Sequence, residues 1–435
     1  MKSIIVWKLT VLAKWTLKKY KPEIIAITGS VGKTTTKDAI YQVLRDTTDV
    51  RRSEKSFNSE IGLPLTILGL PNGYSNPLTW LTNLLRGLML VIGNTKYPKL
   101  LVLEVGADHP GDIKKVGKWV HPDIAVITRL PETPVHVEYF SSPEEVRKEK
   151  AELVRALKKD GVFIANADDS HVLDLRPLTK ARCITYGFGE KADVRGSMPT
   201  VSYGASEGQN KPLGMEFTVT YQGESMPIFL KGVLGVQPAT SALAAVAVGV
   251  ARGVPLVEIA ANIRRIELPR GRMRLIAGKQ GATLIDDSYN SSPVALEAAL
   301  HTLRDLKGGR KIAALGDMLE LGEHSEKEHT RMGTLAAKVV DELVTVGKRA
   351  HMFATAAKAA GLSPEHIHEF DDSATAGKWL TSIVQEGDIV LAKGSQGSGK
   401  NMIRMERVVK ALMKDEEEAA DTLVRQEPEW LKQYK

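Results

Sequence analysis

Across residues 24–44 the chain switches abruptly from one periodicity to another. Ile24-Ile25-Ala26-Ile27-Thr28 is a continuous apolar run, the pattern of a parallel strand buried on both faces, and Lys33–Leu44 has helical spacing. Only Gly29-Ser30-Val31-Gly32 lies between them. A strand that becomes a helix across so short a turn, with two glycines in it, curls so that successive N–H groups point inward beside the positive end of the helix. Such a turn cradles phosphate oxygens. Lys33 then reaches the β- and γ-phosphates of a nucleotide, and the Thr34 hydroxyl ligates Mg²⁺. The full phosphate-loop pattern has a further glycine where Ile27 stands, so the reading rests on strand, turn and helix together.

The rest of the chain reads as α/β. Leu100–Glu104 is a buried strand with an acid at its carboxyl end, where open α/β sheets place their ligands. Further strands are expected at 123–128 and 161–166, and residues 193–230 change to short alternating runs that read as antiparallel hairpins. A second, smaller doubly wound unit alternates strand and helix from Leu268 onward. The expected fold is a mostly parallel sheet with a small antiparallel addition, followed by a smaller Rossmann-like unit. The divisions are 1–22, 23–267 and 268–435. At 435 residues, 43% hydrophobic and 26% charged, the chain has ample core. Its formal charge of +7 comes without a basic stripe interleaved with aromatics, which argues against nucleic acid and is compatible with anionic small substrates. The single cysteine, Cys183, fits a reducing cytoplasm.

Residues 4–17 are apolar but interrupted by Lys8 and Lys14, too short and too charged to span a bilayer. They read as an amphipathic helix packed on the body or on a second subunit, or touching a membrane surface through Trp7, Trp15 and the lysines. A second apolar helix, 77–93, has Leu81, Leu84, Leu85, Leu88 and Met89 on one face for packing against the first. Glu104 is placed to hold Mg²⁺ near Thr34. His136 reads equally as a ligand, a phosphate contact or a surface histidine, and Lys150 taken alone as a solvated helix lysine. Asp286-Asp287-Ser288-Tyr289-Asn290, Gly316-Asp317-Met318 and Lys393-Gly394-Ser395 each follow a strand, gathering polar groups on one face of a cleft. The run 394–400 mimics a phosphate loop, but Asn401 stands where a metal-binding hydroxyl belongs, so it reads as a glycine turn.

These motifs occur in a distinctive order. They are Thr28-Gly29-Ser30-Val31-Gly32-Lys33-Thr34-Thr35, Asn58 with Ile61-Gly62-Leu63-Pro64, Glu104-Val105-Gly106, His136-Val137-Glu138, Lys150-Ala151-Glu152, Asn166-Ala167-Asp168-Asp169, Gly271-Arg272-Met273, Asp286 to Asn290, Gly316-Asp317-Met318 and Lys393-Gly394-Ser395. The ordered set resembles the Mur ligase family, and most closely its D-alanyl-D-alanine-adding members. The resemblance implies an ATP-dependent amide ligase of peptidoglycan precursor synthesis, joining D-Ala-D-Ala to a UDP-muramoyl tripeptide through an acyl phosphate. It implies that residues 29–35 and Lys33 bind the ATP phosphates, with Thr34 and Glu104 on one Mg²⁺. His136 and a carbamylated Lys150 would hold a second Mg²⁺. Arg272 would meet the phosphates, Asn290 the adenine and Asp317 the ribose or cleft, with Asn58, Lys393 and Ser395 on the substrates.

Ser59, Ser292 and Gln396 depart from the family pattern, and about twenty residues precede the first strand where family members carry a UDP-sugar-binding domain. The alternatives are a ligase of the same mechanism with another carboxylate acceptor, folylpolyglutamate-like or amidating, and a membrane-associated ATP-binding scaffold.

Overall fold

The structure is a computed structural model that describes residues 2–54, 60–74, 76–134, 137–206, 209–397, 402–428 and 430. The strands of the first sheet are, in chain order, β1 (Glu23–Thr28), β2 (Val50–Arg52), β3 (Leu100–Glu104), β4 (Ile124–Ile127), β5 (Val162–Asn166), β6 (Arg182–Gly187), β7 (Val194–Gly196), β8 (Thr200–Ser206), β9 (Gln209–Tyr221) and β10 (Glu224–Lys231). Their spatial order is β10-β9-β7-β6-β5-β4-β1-β3-β2, with β8 paired to β9. Strands β2 to β7 run parallel, and the antiparallel pairs are confined to β7–β9, β8–β9 and β9–β10. The expected hairpins are this antiparallel edge.

β1 lies between β3 and β4, and both its faces are covered. Ile25 and Ile27 enter one core with Val43, Val102 and Val246, while Ile24 and Ala26 enter the other with Leu9, Leu63 and Leu153. Continuous apolar runs, not alternating ones, are what a doubly covered parallel sheet requires. The helices that matter for the site and the surface are α1 (Lys2–Tyr20), α2 (Lys33–Leu44), α3 (Gly62–Leu68), α4 (Pro77–Ile92), α5 (Asp112–Gly117) and α6 (Pro143–Arg155).

The second sheet is built from β11 (Arg274–Ala277), β12 (Thr283–Asp287), β13 (Lys311–Gly316), β14 (Glu342–Val346), β15 (Ile367–Phe370) and β16 (Ile389–Lys393), ordered β11-β12-β16-β13-β14-β15. Only β11 is antiparallel. β15, a short edge strand with alternating polar residues, has too weak an apolar signal to be read from the sequence. The first core continues through Leu234, Leu268 and Met273 into Ile285, Leu296 and Leu315, so the two sheets share packed apolar contacts.

α4 is oriented differently from the expectation. Its buried residues are Asn83 and Gly87. Leu81, Leu85, Leu88 and Met89 face out. Gly87 is the reason, because even a methyl there would stand 3.0 Å from the Leu12 side chain of α1. Asn83 donates to the Pro71 carbonyl at 2.8 Å.

After β16 the chain returns to lock the second unit. Glu406 is fully buried between Arg404 and Arg425, the latter at 3.0 Å, and Arg425 also donates to the carbonyls of Ser288 and Tyr289 and to Gln396 Oε1 at 3.1 Å. Truncating one partner of a buried ion cluster strands the other charge. Arg425→Ala is therefore expected to lower stability by on the order of 3 kcal/mol, read as a shift in the urea unfolding midpoint at unchanged slope.

Candidate active site

The phosphate loop is shaped by crowding. Gly29 (φ +147°) lies so close to β4's continuation that a Cβ would stand 2.0 Å from Thr128 Oγ1. Thr128 in turn donates that hydroxyl to the Val31 carbonyl at 2.6 Å, and the Ser30 N–H donates to the Arg129 carbonyl at 2.8 Å. Gly32 has φ +84° and starts α2 in the left-handed region that glycine adopts without strain. Ile27 sits inside β1 and is fully buried, so the loop here turns on Gly29 and Gly32 alone.

The β1–β3 register pairs Ile27 with Glu104 and brings the Glu104 carboxylate to the start of α2, where Thr34 Oγ1 donates to Oε1 at 3.2 Å. Lys33 folds back to donate to the Gly29 carbonyl at 2.9 Å. Burial lowers its pKa, an effect the Glu104 charge opposes. Lys150, on α6, is 1% exposed, far from the solvated lysine its local sequence suggests. Burial, assisted by the Lys33 charge, lowers its pKa to about 7. Its neighbour Glu149 holds α6 against the start of α5, accepting from the N–H groups of Gly111 (2.8 Å), Ile113 (2.6 Å) and Lys114 (3.2 Å).

Two spaces flank this loop, with Val31 and Gly32 lining both. The larger, a polar cleft, runs from Lys33, Thr34 and Glu104 across to Arg272, Asn290 and Ser395 of the second unit. Arg272 lies over the Tyr289 ring, 4.2 Å from its centroid. Glu320, which belongs to the motif that begins at Gly316, and Arg349, which nothing in its local sequence marks, also line this cleft. The other, smaller and largely apolar, is walled by Phe188, Met198, Val236 and Tyr186, with Arg129, Asn166, Asp168 and Gln237 among its polar groups. The Asn166-Ala167-Asp168 motif contributes to it, but its remaining walls come from separate strands and from the helix Val236–Ala251, and no local pattern marks the cavity as a whole.

Several expected site residues have other duties. Asp317 Oδ1 accepts from the N–H groups of Arg349 (2.9 Å) and Ala350 (2.8 Å), and the residue lines neither space. It shapes the loop after β14. Lys393 is buried and donates to Asp287 Oδ2 at 2.6 Å and to the Asn290 carbonyl at 3.0 Å, which sets the Asn290 loop and leaves the ammonium facing no substrate space. Ser395 does line the cleft, while its hydroxyl ties the Ser291 carbonyl (3.1 Å) to the Leu319 N–H (3.1 Å). Thr35 is buried in the first turn of α2 and also lines neither space. Asn58 and His136 lie outside the described residues.

A metal fits the donor set in one respect. Among the described residues no three His, Cys, Asp or Glu side chains cluster to hold an ion by themselves. The Thr34–Glu104 pair instead offers the two hard oxygens with which Mg²⁺ is usually held beside phosphates, water completing its shell.

Residues 27–249 match the Mur ligase middle domain, and residues 271–396 match the Mur ligase glutamate ligase domain. The UDP-N-acetylmuramoyl-tripeptide--D-alanyl-D-alanine ligase of Bacillus subtilis is 30% identical over 404 residues, covering 92% of this chain and 78% of the relative. Among solved structures, MurF from Acinetobacter baumannii superposes with a TM-score of 0.75 at 26% identity, covering 94% of this chain and 80% of that one. MurF ligase from Thermotoga maritima, solved with ADP, shares the fold at a TM-score of 0.75 and 24% identity, over 95% and 85% of the two chains. By sequence across both matched segments and by fold, this chain belongs to the Mur ligase family.

Proposed function

We propose that this chain is an ATP-dependent peptide ligase that joins D-alanyl-D-alanine to a UDP-muramoyl tripeptide, the activity by which its Bacillus subtilis relative is named. The observation that carries the reading is the cleft itself. One wall holds a phosphate loop with Lys33, Thr34 and Glu104, and the other presents Arg272, Asn290 and Ser395 from the second unit. Units 23–267 and 268–435 then act as the two sides of one reaction space, in the cytoplasm, where ATP and nucleotide-linked precursors are found.

In this reaction the γ-phosphoryl group of ATP passes to the tripeptide carboxylate, giving ADP and an acyl phosphate. The D-Ala-D-Ala amine attacks the acyl carbon, and phosphate leaves as the amide forms. Lys33 and the loop N–H groups hold the β- and γ-phosphates, and Arg272 meets the phosphoryl group from across the cleft. Thr34 and Glu104 would hold one Mg²⁺, which supplies charge neutralisation between the polyphosphate and the carboxylate. The apolar cavity behind Val31 and Gly32 suits the nucleoside, with Phe188 and Met198 as walls and Asn166 and Gln237 as hydrogen-bonding groups. Asn290, on the opposite side of the loop, then faces the transferring phosphate more directly than the base.

Lys150 fits a carbamate chemically. An amine must be neutral to add to CO₂, releasing a proton and becoming an anionic oxygen ligand, and burial beside Lys33 favours the neutral form. With His136 it would hold the second Mg²⁺.

Phosphate release measured with ATP, Mg²⁺ and D-Ala-D-Ala is expected to depend on added UDP-MurNAc-tripeptide and to yield the pentapeptide by mass spectrometry. ATP turnover with folylglutamate but not with the muramoyl tripeptide would move the chain to another acceptor. Lys33→Ala should lower kcat by about 10²–10³ through loss of charge stabilisation at the phosphoryl group, with thermal unfolding unchanged or raised because a partly desolvated cation is removed. For Lys150, ¹³C-bicarbonate should give a carbamate signal that Lys150→Ala lacks. The signal should weaken as the pH falls through about 7, where the amine becomes protonated. Thr240→Trp, which would fill the nucleoside cavity, should raise the KM for ATP at least about tenfold, while a KM unmoved by that change would place the base elsewhere.

A further inference from the structure

α4 turns one apolar stripe away from the protein. Leu78, Leu81, Leu85, Leu88, Met89 and Ile92 are all exposed, from 42% at Leu88 to 73% at Leu78 and Ile92. Helices of soluble domains ordinarily bury that stripe and show solvent the polar one. Here the inward side carries Asn83 and Gly87 with the half-buried Trp80, Leu84, Leu90 and Val91, and a further apolar stripe is left outside. α1 packs beside it, burying Leu9, Leu12, Ala13 and Thr16, and its outer stripe exposes Ile4, Trp7 and Trp15 with Lys8, Lys14 and Lys18 interspersed. The helices are joined at their C-terminal ends, where Lys19 Nζ donates to the Val91 carbonyl at 2.9 Å and the Tyr20 hydroxyl to the Leu90 carbonyl at 3.0 Å. None of these exposed side chains on α4 lines the cleft or the nucleoside cavity.

Charge identifies what this surface fits. Residues 1–22 contain Lys2, Lys8, Lys14, Lys18, Lys19 and Lys21, and residues 76–99 contain Arg86, Lys96 and Lys99; neither segment has an Asp or Glu. A second copy related by two-fold symmetry would set this cationic surface against itself. An anionic lipid surface complements it. Tryptophan rings settle at the headgroup level, lysine stems lie along apolar surface with their ammonium groups among the phosphates, and exposed leucines enter the acyl boundary. We propose that α1 and α4 together form a docking surface for an anionic lipid bilayer, holding the ligase on the membrane face. The attachment is interfacial, since among the described residues no helix is long and apolar enough to cross a membrane.

Flotation of the full chain with vesicles tests this directly. Binding to phosphatidylglycerol–phosphatidylcholine vesicles is expected to exceed binding to phosphatidylcholine alone by roughly tenfold, and to weaken as salt is raised. The double change Leu81→Asp/Leu85→Asp should lower the partition coefficient at least about tenfold, while ATP-dependent phosphate release in solution stays at the wild-type rate. Lys8→Glu/Lys18→Glu should remove the preference for anionic vesicles. A wild-type chain that stays unbound with anionic vesicles overturns the proposal, as does binding that ignores both lipid charge and the leucine changes. A dimer in light scattering that Leu81→Asp/Leu85→Asp converts to monomer, with no vesicle binding by either form, would assign the surface to a second copy instead.

Discussion

The close approach of β1 to the chain leaving β4 is the constraint from which the site follows. Where β1 ends, Gly29 and Thr128 are so near that only a hydrogen fits on the glycine. The Thr128 hydroxyl then bonds the Val31 carbonyl and pulls the loop over the sheet edge. α2 begins at that point with its N–H groups aimed at the space above the strands, so phosphate binding is built from backbone geometry before any side chain contributes. The neighbouring strand in the same parallel register delivers Glu104 to Thr34. Sliding β3 by one residue would turn Glu104 to the other face and end the pairing.

Around that frame charges of both signs meet, Lys33, Arg272 and Arg349 lining the cleft together with Glu104, Asp108, Glu138 and Glu320. Lys150 is buried and Lys33 half-buried, and desolvation pushes each toward its neutral form, Lys150 also through the charge of Lys33. Desolvated ammonium groups of this kind gain when a polyphosphate arrives, which is how an enzyme couples binding energy to orientation. The second unit handles its buried charges differently. Lys393 is neutralised by Asp287, and Glu406 by Arg404 and Arg425, so these groups hold loops in place. Arg425 reaches both the Tyr289 carbonyl and Gln396, linking a residue late in the chain to two loops that border the cleft.

That difference explains which site residues could be read from the chain. Gly29, Gly32, Lys33 and Thr34 follow from a strand-turn-helix pattern that is local, and Glu104 from its place at the end of a buried strand. Asp317, Lys393 and Thr35 lie in equally conspicuous motifs, yet their polar groups turn to neighbouring chain or stay buried and do not enter the cleft. A motif marks where a polar group sits along the strand, and the surrounding loops decide what that group meets. The apolar cavity as a whole went unread for a related reason. Its walls at Asn166, Phe188, Met198 and Gln237 are contributed one or two at a time by distant segments.

The amino-acid sequence by itself determined the α/β class, the parallel core, the phosphate loop and the antiparallel edge after β6, because each rests on periodicity or on turn chemistry within a few residues. Only the tertiary structure decided that Lys150 is buried and which residues of the second unit, Arg349 among them, line the cleft. It also decided that α4 faces outward with its leucines. The spacing of Leu81, Leu85, Leu88 and Met89 specifies an apolar face but carries no information about its direction. Gly87 settles that, since its missing side chain is what lets Leu12 of α1 approach the opposite side of the helix.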